Sequence, residues 1–428
     1  MTVAVLIGSF VALLLLGVPV VWAMAAAVIA TLLATPLHLP LSWFAQELLQ
    51  GANSIPLSAI PLFLLAGGLM NQGGLTRRII RVAEEVFGRV QGGLGLVNVV
   101  TAFVYGGISG SATADTGAVA AVMIPAMEDA GYPRDFSSAV TAASGTLGII
   151  IPPSVVMILY GVISNTSIGG LFAAGVLPGL IVAAAFMLTS WLIGRANGFP
   201  RIARGFAVAA FLKEVASALP ALLMPLFILG TIVGGIATAT KAAALAVLYA
   251  LFVGLVIYRE LSLRMLLPIA VDALATTGGI MMIMAVATPF AWILTVEQVP
   301  LKAANWIVSL HAGPIGAIAL VLLLLKIVGF WLDLGPALVI LTPILRPIAI
   351  AAGFGSYQVG LLFIVTLGIG LFTPPIGTNL FIVCNIARID MWAVSRRLVP
   401  YWAAAVVCVV LFVAFPPLTE WLPHVFSL

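Results

Sequence analysis

Gly148-Ile149-Ile150-Ile151-Pro152-Pro153 and Gly370-Leu371-Phe372-Thr373-Pro374-Pro375 are the two stretches whose reading decides the fold. Each lies inside an apolar run long enough to cross a bilayer. A double proline removes two backbone donors and restricts the residue before each ring, so neither run continues as an unbroken helix. In hydrocarbon the freed carbonyls need partners, and broken backbone persists only when buried in protein or lining a polar cavity. The copies stand 374 − 152 = 222 residues apart, about half of the 428-residue chain. The chain therefore reads as two homologous halves, each contributing one broken helix to a shared site.

Composition places these breaks in a membrane. The chain is 63% hydrophobic and 7% charged, with mean hydropathy +1.25, whereas soluble domains carry roughly 25% charged residues. Apolar segments of helical span length recur throughout, which points to an all-α integral membrane protein rather than a barrel of short alternating strands. No basic run interleaves with aromatics, so the net charge of +4 does not describe a nucleic-acid surface. Cys384 and Cys408 lie in apolar runs and read as packing residues. The first fifteen residues carry neither Lys nor Arg and no cleavage pattern, so residues 1–35 are expected to be retained membrane segments folded back around Gly17-Val18-Pro19.

Charge placement gives an orientation. Arg77, Arg78, Arg81, Arg89, Arg134, Arg195, Arg201, Arg204, Lys213, Arg259, Arg264, Arg388, Arg396 and Arg397 fall between apolar runs. With the N-terminus outside, and three spans, a re-entrant hairpin and two further spans in each half, all of these face the cytoplasm. Only Lys302 and Arg346 then fall in outer loops, as the positive-inside rule requires. An odd number of spans per half makes the repeats inverted and places both termini in the periplasm. The amphipathic stretch 75–90 reads as an interfacial helix leading into the first hairpin, with Ile79, Ile80, Val82, Ala83, Val86, Phe87 and Val90 on one face.

The hairpins are expected at 98–127 and 315–347. Both runs carry an aspartate, Asp115 and Asp333, 333 − 115 = 218 residues apart, followed by Pro125 and Pro343. Gly106-Gly107-Ile108-Ser109-Gly110-Ser111 weakens a helix at the first tip; at the second, Asp333, Gly335 and Pro336 carry the same signal. Inverted halves with broken helices form the pattern of a secondary transporter, where half-helix N-termini suit anions and unwound carbonyls suit Na⁺. Candidate ligands for Na⁺ are Ser109, Gly110, Ser111, Asp115, Gly145, Thr146, Gly148, Asp333, Gly335, Thr373 and Gly377. Candidates for a substrate carboxylate are Ser109, Ser111, Ser154, Asp333, Thr373, Thr378 and Asn379. Either aspartate suits a site beside Na⁺ or a helix N-cap. His38, His311 and His424 fall in predicted outer loops and show no metal spacing. No nucleotide or zinc-protease motif is present, and a membrane-embedded enzyme would need an intramembrane acid–histidine cluster.

Gly107-Ile-Ser-Gly-Ser-Ala-Thr-Ala-Asp115, Met123-Ile-Pro-Ala-Met127, Ile150-Ile-Pro-Pro-Ser154, Leu332-Asp333, Leu341-Thr-Pro-Ile-Leu345 and Gly370-Leu-Phe-Thr-Pro-Pro-Ile-Gly377 resemble the large membrane subunit of tripartite ATP-independent periplasmic (TRAP) transporters. The resemblance runs from Gly17-Val-Pro19 to the final span. It implies an elevator-type, ion-transporter-superfamily-like fold and Na⁺-coupled import of a small organic anion, such as a C4-dicarboxylate or sugar acid, across the bacterial inner membrane. Its implied partners are a small four-helix membrane subunit and a periplasmic substrate-binding protein, besides membrane lipid. The implied division is scaffold helices and a first arm at 1–97, a transport core at 98–167, scaffold and second arm at 168–314, core again at 315–387, and a C-terminal helix at 388–428. The rival reading is a stand-alone ion-coupled carboxylate carrier.

Three departures from the family pattern stand out, the first involving two positions. Lys241 stands where glutamate is usual, and Val296-Glu297 where an arginine is usual, which suggests a charge-swapped Lys241–Glu297 pair. Lys326 lies in a hairpin limb that is usually uncharged. It either snorkels or pairs with a neighbouring carboxylate, or its ammonium replaces a bound cation or meets the substrate. Ile149 stands where proline is usual ahead of Pro152-Pro153.

Overall fold

The computed structural model describes every residue except 38, 202–207, 310, 312 and 427–428; His38 and Arg204 lie outside the described residues. The described secondary structure is helical throughout, and among the described residues seven helices are long and apolar enough to cross a membrane. In the first half, helices Thr2–Leu15 and Val20–Ala34 precede the pair Leu41–Ala52 and Ala59–Gln72 and the arm Leu75–Phe87. A hairpin follows, Gly93–Ser109 and Ala112–Asp129. The broken helix runs Arg134–Ser144, tightens to a 3₁₀ turn at Gly145–Ile149, and resumes as Val155–Ser164 before the span Ile168–Ala196.

The second half repeats that order: Val208–Val233, Ala239–Phe252, Leu263–Val296, Val299–Ser309, the hairpin Gly313–Val328 and Leu334–Ala351, the broken helix Ser356–Leu371 and Thr378–Ala387, then Met391–Ala414. Pro417–Val425, which carries His424, closes the chain. The second hairpin limbs begin 334 − 112 = 222 residues apart and the resumed half-helices 378 − 155 = 223. Leu263–Val296 differs from its counterpart in being continuous where the first half breaks around Pro56. Pro56 removes a donor and lies in a 3₁₀ turn, whereas helical backbone runs through Gly278-Gly279.

Both proline pairs interrupt their helices. The gaps fall at residues 150–154 and 372–377, and each pair is joined by a cis peptide bond. The freed groups find partners inside the protein, as lipid demands. Ser154 Oγ donates to Ile149 O at 2.8 Å, Val155 N donates to Gly110 O at 3.2 Å, and Trp402 Nε1 donates to Phe372 O at 3.2 Å.

The two halves interlock. Limb Ala112–Asp129 packs on Thr378–Ala387 from the other half, and limb Leu334–Ala351 packs on Val155–Ser164. Beside the first break, Asn98 Nδ2 donates to Thr141 Oγ1 at 2.7 Å and Ser144 Oγ donates to Asn98 Oδ1 at 3.0 Å. These buried bonds tie the first hairpin to its broken helix. The arm begins at Gly74, whose φ of +82° turns the chain. It buries Leu75, Ile79, Ile80 and Ala83, but leaves Val86 45% exposed, so its apolar face is narrower than the sequence pattern. Arg78 fastens it to the second half through Glu260 at 2.6 Å and the Tyr258 ring at 3.7 Å.

The Lys241–Glu297 pair does not form. Lys241 is exposed, the Glu297 carbonyl accepts from Lys302 Nζ at 2.8 Å, and no ion pair joins the two. The reason is packing: Ala59–Gln72 lies against both Ala239–Phe252 and Leu263–Val296. Lys241→Glu and Glu297→Lys should therefore combine additively, each within about 0.5 kcal/mol of wild type. Melting curves of the two single variants and the double variant in detergent measure this; a rescue in the double variant would restore the pairing.

Candidate functional site

The first hairpin tip is docked on the first break by backbone contact. A Cβ on Gly106 would lie 2.6 Å from Gly148 Cα, and one on Gly110 would lie 2.6 Å from Pro153 O. Gly110 also has a φ of +66°, a conformation that disfavours any side chain. The glycines that weaken the helix in the sequence are thus the ones that let two backbones touch.

Asp115 sits behind this tip, fully buried. The Ser109 hydroxyl donates to Asp115 Oδ1, and Ser111 N donates to Ser109 Oγ at 3.1 Å. Asp115 Oδ2 has no hydrogen-bond partner among the described residues. It faces Gly148, where any Cβ would collide with it, while a Cβ on Gly145 would collide with Thr116 Oγ1 and lie 3.3 Å from Asn379 Nδ2. Asn379 comes from the other half; its Nδ2 donates to Ala142 O at 3.2 Å, and its buried Oδ1 also lacks a partner among the described residues. A carboxylate, an amide oxygen and a serine hydroxyl thus gather beside glycine backbone around the Gly145–Ile149 turn. These are hard oxygen donors, the set that suits a small alkali cation. The Thr146 hydroxyl donates to Ala143 O at 2.6 Å.

The second tip is built differently. Asp333 is the N-cap residue of Leu334–Ala351, as Ser111 is of Ala112–Asp129, and Thr378 Oγ1 donates to Asp333 Oδ1 at 3.3 Å. Asp115 lies a turn inside its helix, so the two aspartates are not counterparts. Position 115 + 222 = 337 is Ala337. The offset of 218 matched residue types, whereas the caps set the register. Lys326 finds no carboxylate among the described residues; its Nζ donates to Thr373 Oγ1 at 3.2 Å, and Thr373 donates to Ile369 O. Gly377 closes the loop, its N donating to Thr373 O at 3.1 Å.

The tips converge on one cavity of about 180 Å³, lined by Gly110, Ser111 and Thr113 from the first and by Asp333 and Gly335 from the second, against Thr276 and Ile283 of Leu263–Val296. A neighbouring cavity of about 200 Å³ reaches Ser109 past Asn71, Asp272 and Thr276. Ser154, Thr373, Thr378 and Asn379 do not line the shared cavity. Ser154 caps its half-helix, accepting from Met157 N at 3.3 Å.

The family profile of the tripartite ATP-independent periplasmic transporter DctM component matches residues 7–418. The chain belongs to the DctM family of TRAP transporter large permeases. The permease is 36% identical over 414 residues to the sialic acid TRAP transporter large permease SiaM of Vibrio cholerae, covering 97% of this chain and 96% of the relative. It is likewise 36% identical over 418 residues to the 2,3-diketo-L-gulonate permease YiaN of Escherichia coli, covering 98% of each. The isethionate permease DctMQ of Oleidesulfovibrio alaskensis is 37% identical over 413 residues; the match covers 96% of this chain and 65% of that relative. The fold resembles the YdaH transporter of Alcanivorax borkumensis, with TM-score 0.63 and 15% identity over 96% of this chain and 98% of that one. It also resembles MtrF of Neisseria gonorrhoeae, with TM-score 0.57 and 15% identity over 87% and 83%. The permease is thus a multi-span membrane transport protein.

Two polar residues of the permease's site escape the sequence reading. Asp272 is a third carboxylate within a long apolar run, a signal that intramembrane charge alone supplies. Asn98 carries no such signal, because a single amide in an apolar limb is common in membrane helices.

Proposed function

We propose that this permease is the large subunit of a Na⁺-coupled importer that moves a small organic anion across the bacterial inner membrane. The observation that carries the reading is the pair of buried, unpartnered oxygens, Asp115 Oδ2 and Asn379 Oδ1, beside a break whose hairpin tip also lines the shared cavity. A monovalent cation there satisfies both oxygens, draws the two halves together across Gly145, and sets the Ser109–Ser111 tip for substrate. The anion enters the cavity between Ser111 and Thr113 on one side and the N-terminus of Leu334–Ala351 on the other, where backbone donors and the helix dipole favour negative charge. Asp333 at that tip needs a countercharge before a carboxylate can approach.

The exchange of contacts between the halves supports a transport core of residues 98–167 and 315–387 that moves as one body, elevator-fashion, against a scaffold of 1–97 and 168–314 and the C-terminal helix 388–428. The hairpins are then re-entrant, the halves inverted, and both termini periplasmic. Relatives named as sialic acid, diketogulonate and isethionate permeases support an organic acid as cargo. Family membership supports a small four-helix membrane subunit and a periplasmic binding protein as partners. Proteoliposomes holding both membrane subunits test the reading. Uptake should need a Na⁺ gradient and a loaded binding protein together. Uptake driven equally by K⁺ would remove the ion assignment, and uptake of free substrate would favour the stand-alone carrier.

A further inference from the structure

The two breaks are built alike and charged oppositely. In the first half Gly106 lies against Gly148; in the second a Cβ on Gly370 would fall 2.5 Å from Gly329 O, so the same backbone approach recurs. Beside the first approach stands the Asp115 carboxylate, with one oxygen unpartnered. At the matching position of the second, Ala337 is fully buried. A positive charge arrives there instead, from the first limb of the hairpin. Lys326 lies one turn before Gly329, and its ammonium bonds Thr373 at 3.2 Å, two residues beyond the end of helix Ser356–Leu371. The Phe330 ring lies 4.8 Å from Nζ, and no carboxylate among the described residues lies within ion-pairing distance. A cation at a helix C-terminus is stabilised by the carbonyl dipoles, and one at membrane depth without a paired carboxylate marks a functional position. Asp333 completes the arrangement. Thr373 holds the ammonium at one end of the loop, and Thr378 holds Asp333 at the other.

We infer that Lys326 is a tethered cation: its ammonium takes, at the second break, the place that a mobile Na⁺ takes at the first. The inference rests on the sodium-coupled reading above and adds to it that the permease uses one free Na⁺ fewer than its two breaks would hold. Neither Lys326 nor Thr373 lines the cavity between the tips, so the ammonium serves the loop rather than the anion.

Thermal melting of the purified permease, titrated with Na⁺ against choline at constant ionic strength, tests this in wild type, Lys326→Ala, Lys326→Gln and Lys326→Arg. Wild type and Lys326→Arg should titrate with a Hill coefficient near 1. The uncharged variants should steepen towards 2, and should show the same steepening in Na⁺-dependent uptake. A wild-type coefficient near 2 overturns the inference whatever the variants do. Uncharged variants that titrate like wild type also overturn it and leave the sodium site at Asp115 standing; a raised KM for the anion at unchanged Na⁺ dependence does the same, by placing the ammonium on the substrate. Wild type that ignores Na⁺, with uncharged variants that respond, would uphold the tethered cation and remove the sodium site at Asp115. No response in any of the four removes both.

Discussion

Asp115→Asn is expected to abolish Na⁺-driven uptake while the permease still folds. Asparagine has the same shape, and its amide oxygen still accepts from the Ser109 hydroxyl that bonds Oδ1 now. What is lost is the negative charge at Oδ2, the oxygen with no protein partner in a fully buried site. Leaving a buried ion without its countercharge costs about 3–5 kcal/mol, which at ~1.4 kcal/mol per tenfold corresponds to a loss of roughly 100- to 4,000-fold in Na⁺ affinity. The folded state should gain slightly in Na⁺-free buffer, because burying an uncompensated carboxylate is itself unfavourable. Gly148→Ala should reproduce the transport defect by a different route, since its methyl would occupy the space that Asp115 Oδ2 faces. Na⁺ titrations of uptake in proteoliposomes read both variants. A half-saturating Na⁺ concentration within threefold of wild type for Asp115→Asn would take the cation away from this carboxylate.

The second large effect is expected at Gly106. A side chain there meets Gly148 Cα at 2.6 Å, Gly148 N at 2.9 Å and the Leu147 carbonyl carbon at 3.3 Å. All three are backbone atoms, with no flexible side chain to give way. Gly106→Val must push the first hairpin off the broken helix, at a cost of about 1–3 kcal/mol for overpacking. The displacement carries Ser109, Gly110 and Asp115 with it, so uptake should fall by more than tenfold even in the fraction that stays folded. Gly279→Ala provides the contrast. Nothing lies within 4 Å of a Cβ at that position, and in the continuous helix Leu263–Val296 alanine should stabilise by about 0.5–1 kcal/mol. Melting curves and uptake measured side by side separate the two glycines. A Gly106→Val permease with wild-type stability would mean that the hairpin and the break do not touch.

The two glycines show where sequence reading stops. Composition and the periodicity of apolar runs establish a helical membrane protein, because the bilayer admits little else. Pro152-Pro153 and Pro374-Pro375 fix both breaks through proline's own chemistry, which needs no knowledge of neighbours. The hairpin turn at Gly110, the arm beginning at Leu75 and the two-fold order of elements are local signals of the same kind.

Other features depend on what lies opposite, and local pattern is silent about that. Asp115 and Asp333 look like a matched pair by type, yet one is a buried partner of Ser109 and the other an N-cap held by Thr378. Ser154 reads as a ligand and is a cap. Lys241 and Glu297 read as a pair but do not meet, with Ala59–Gln72 packed against both their helices. Asn379 reaches Gly145 from the other half of the chain, and Lys326 finds Thr373 rather than an acid. Lipid and proline act on each residue where it stands, so the sequence by itself determined the spans and their interruptions. Which side chains face one another follows from packing between segments that meet only in the folded chain, from 45 residues apart for Thr378 and Asp333 to 237 for Asn379 and Ala142, and only the tertiary structure decided it.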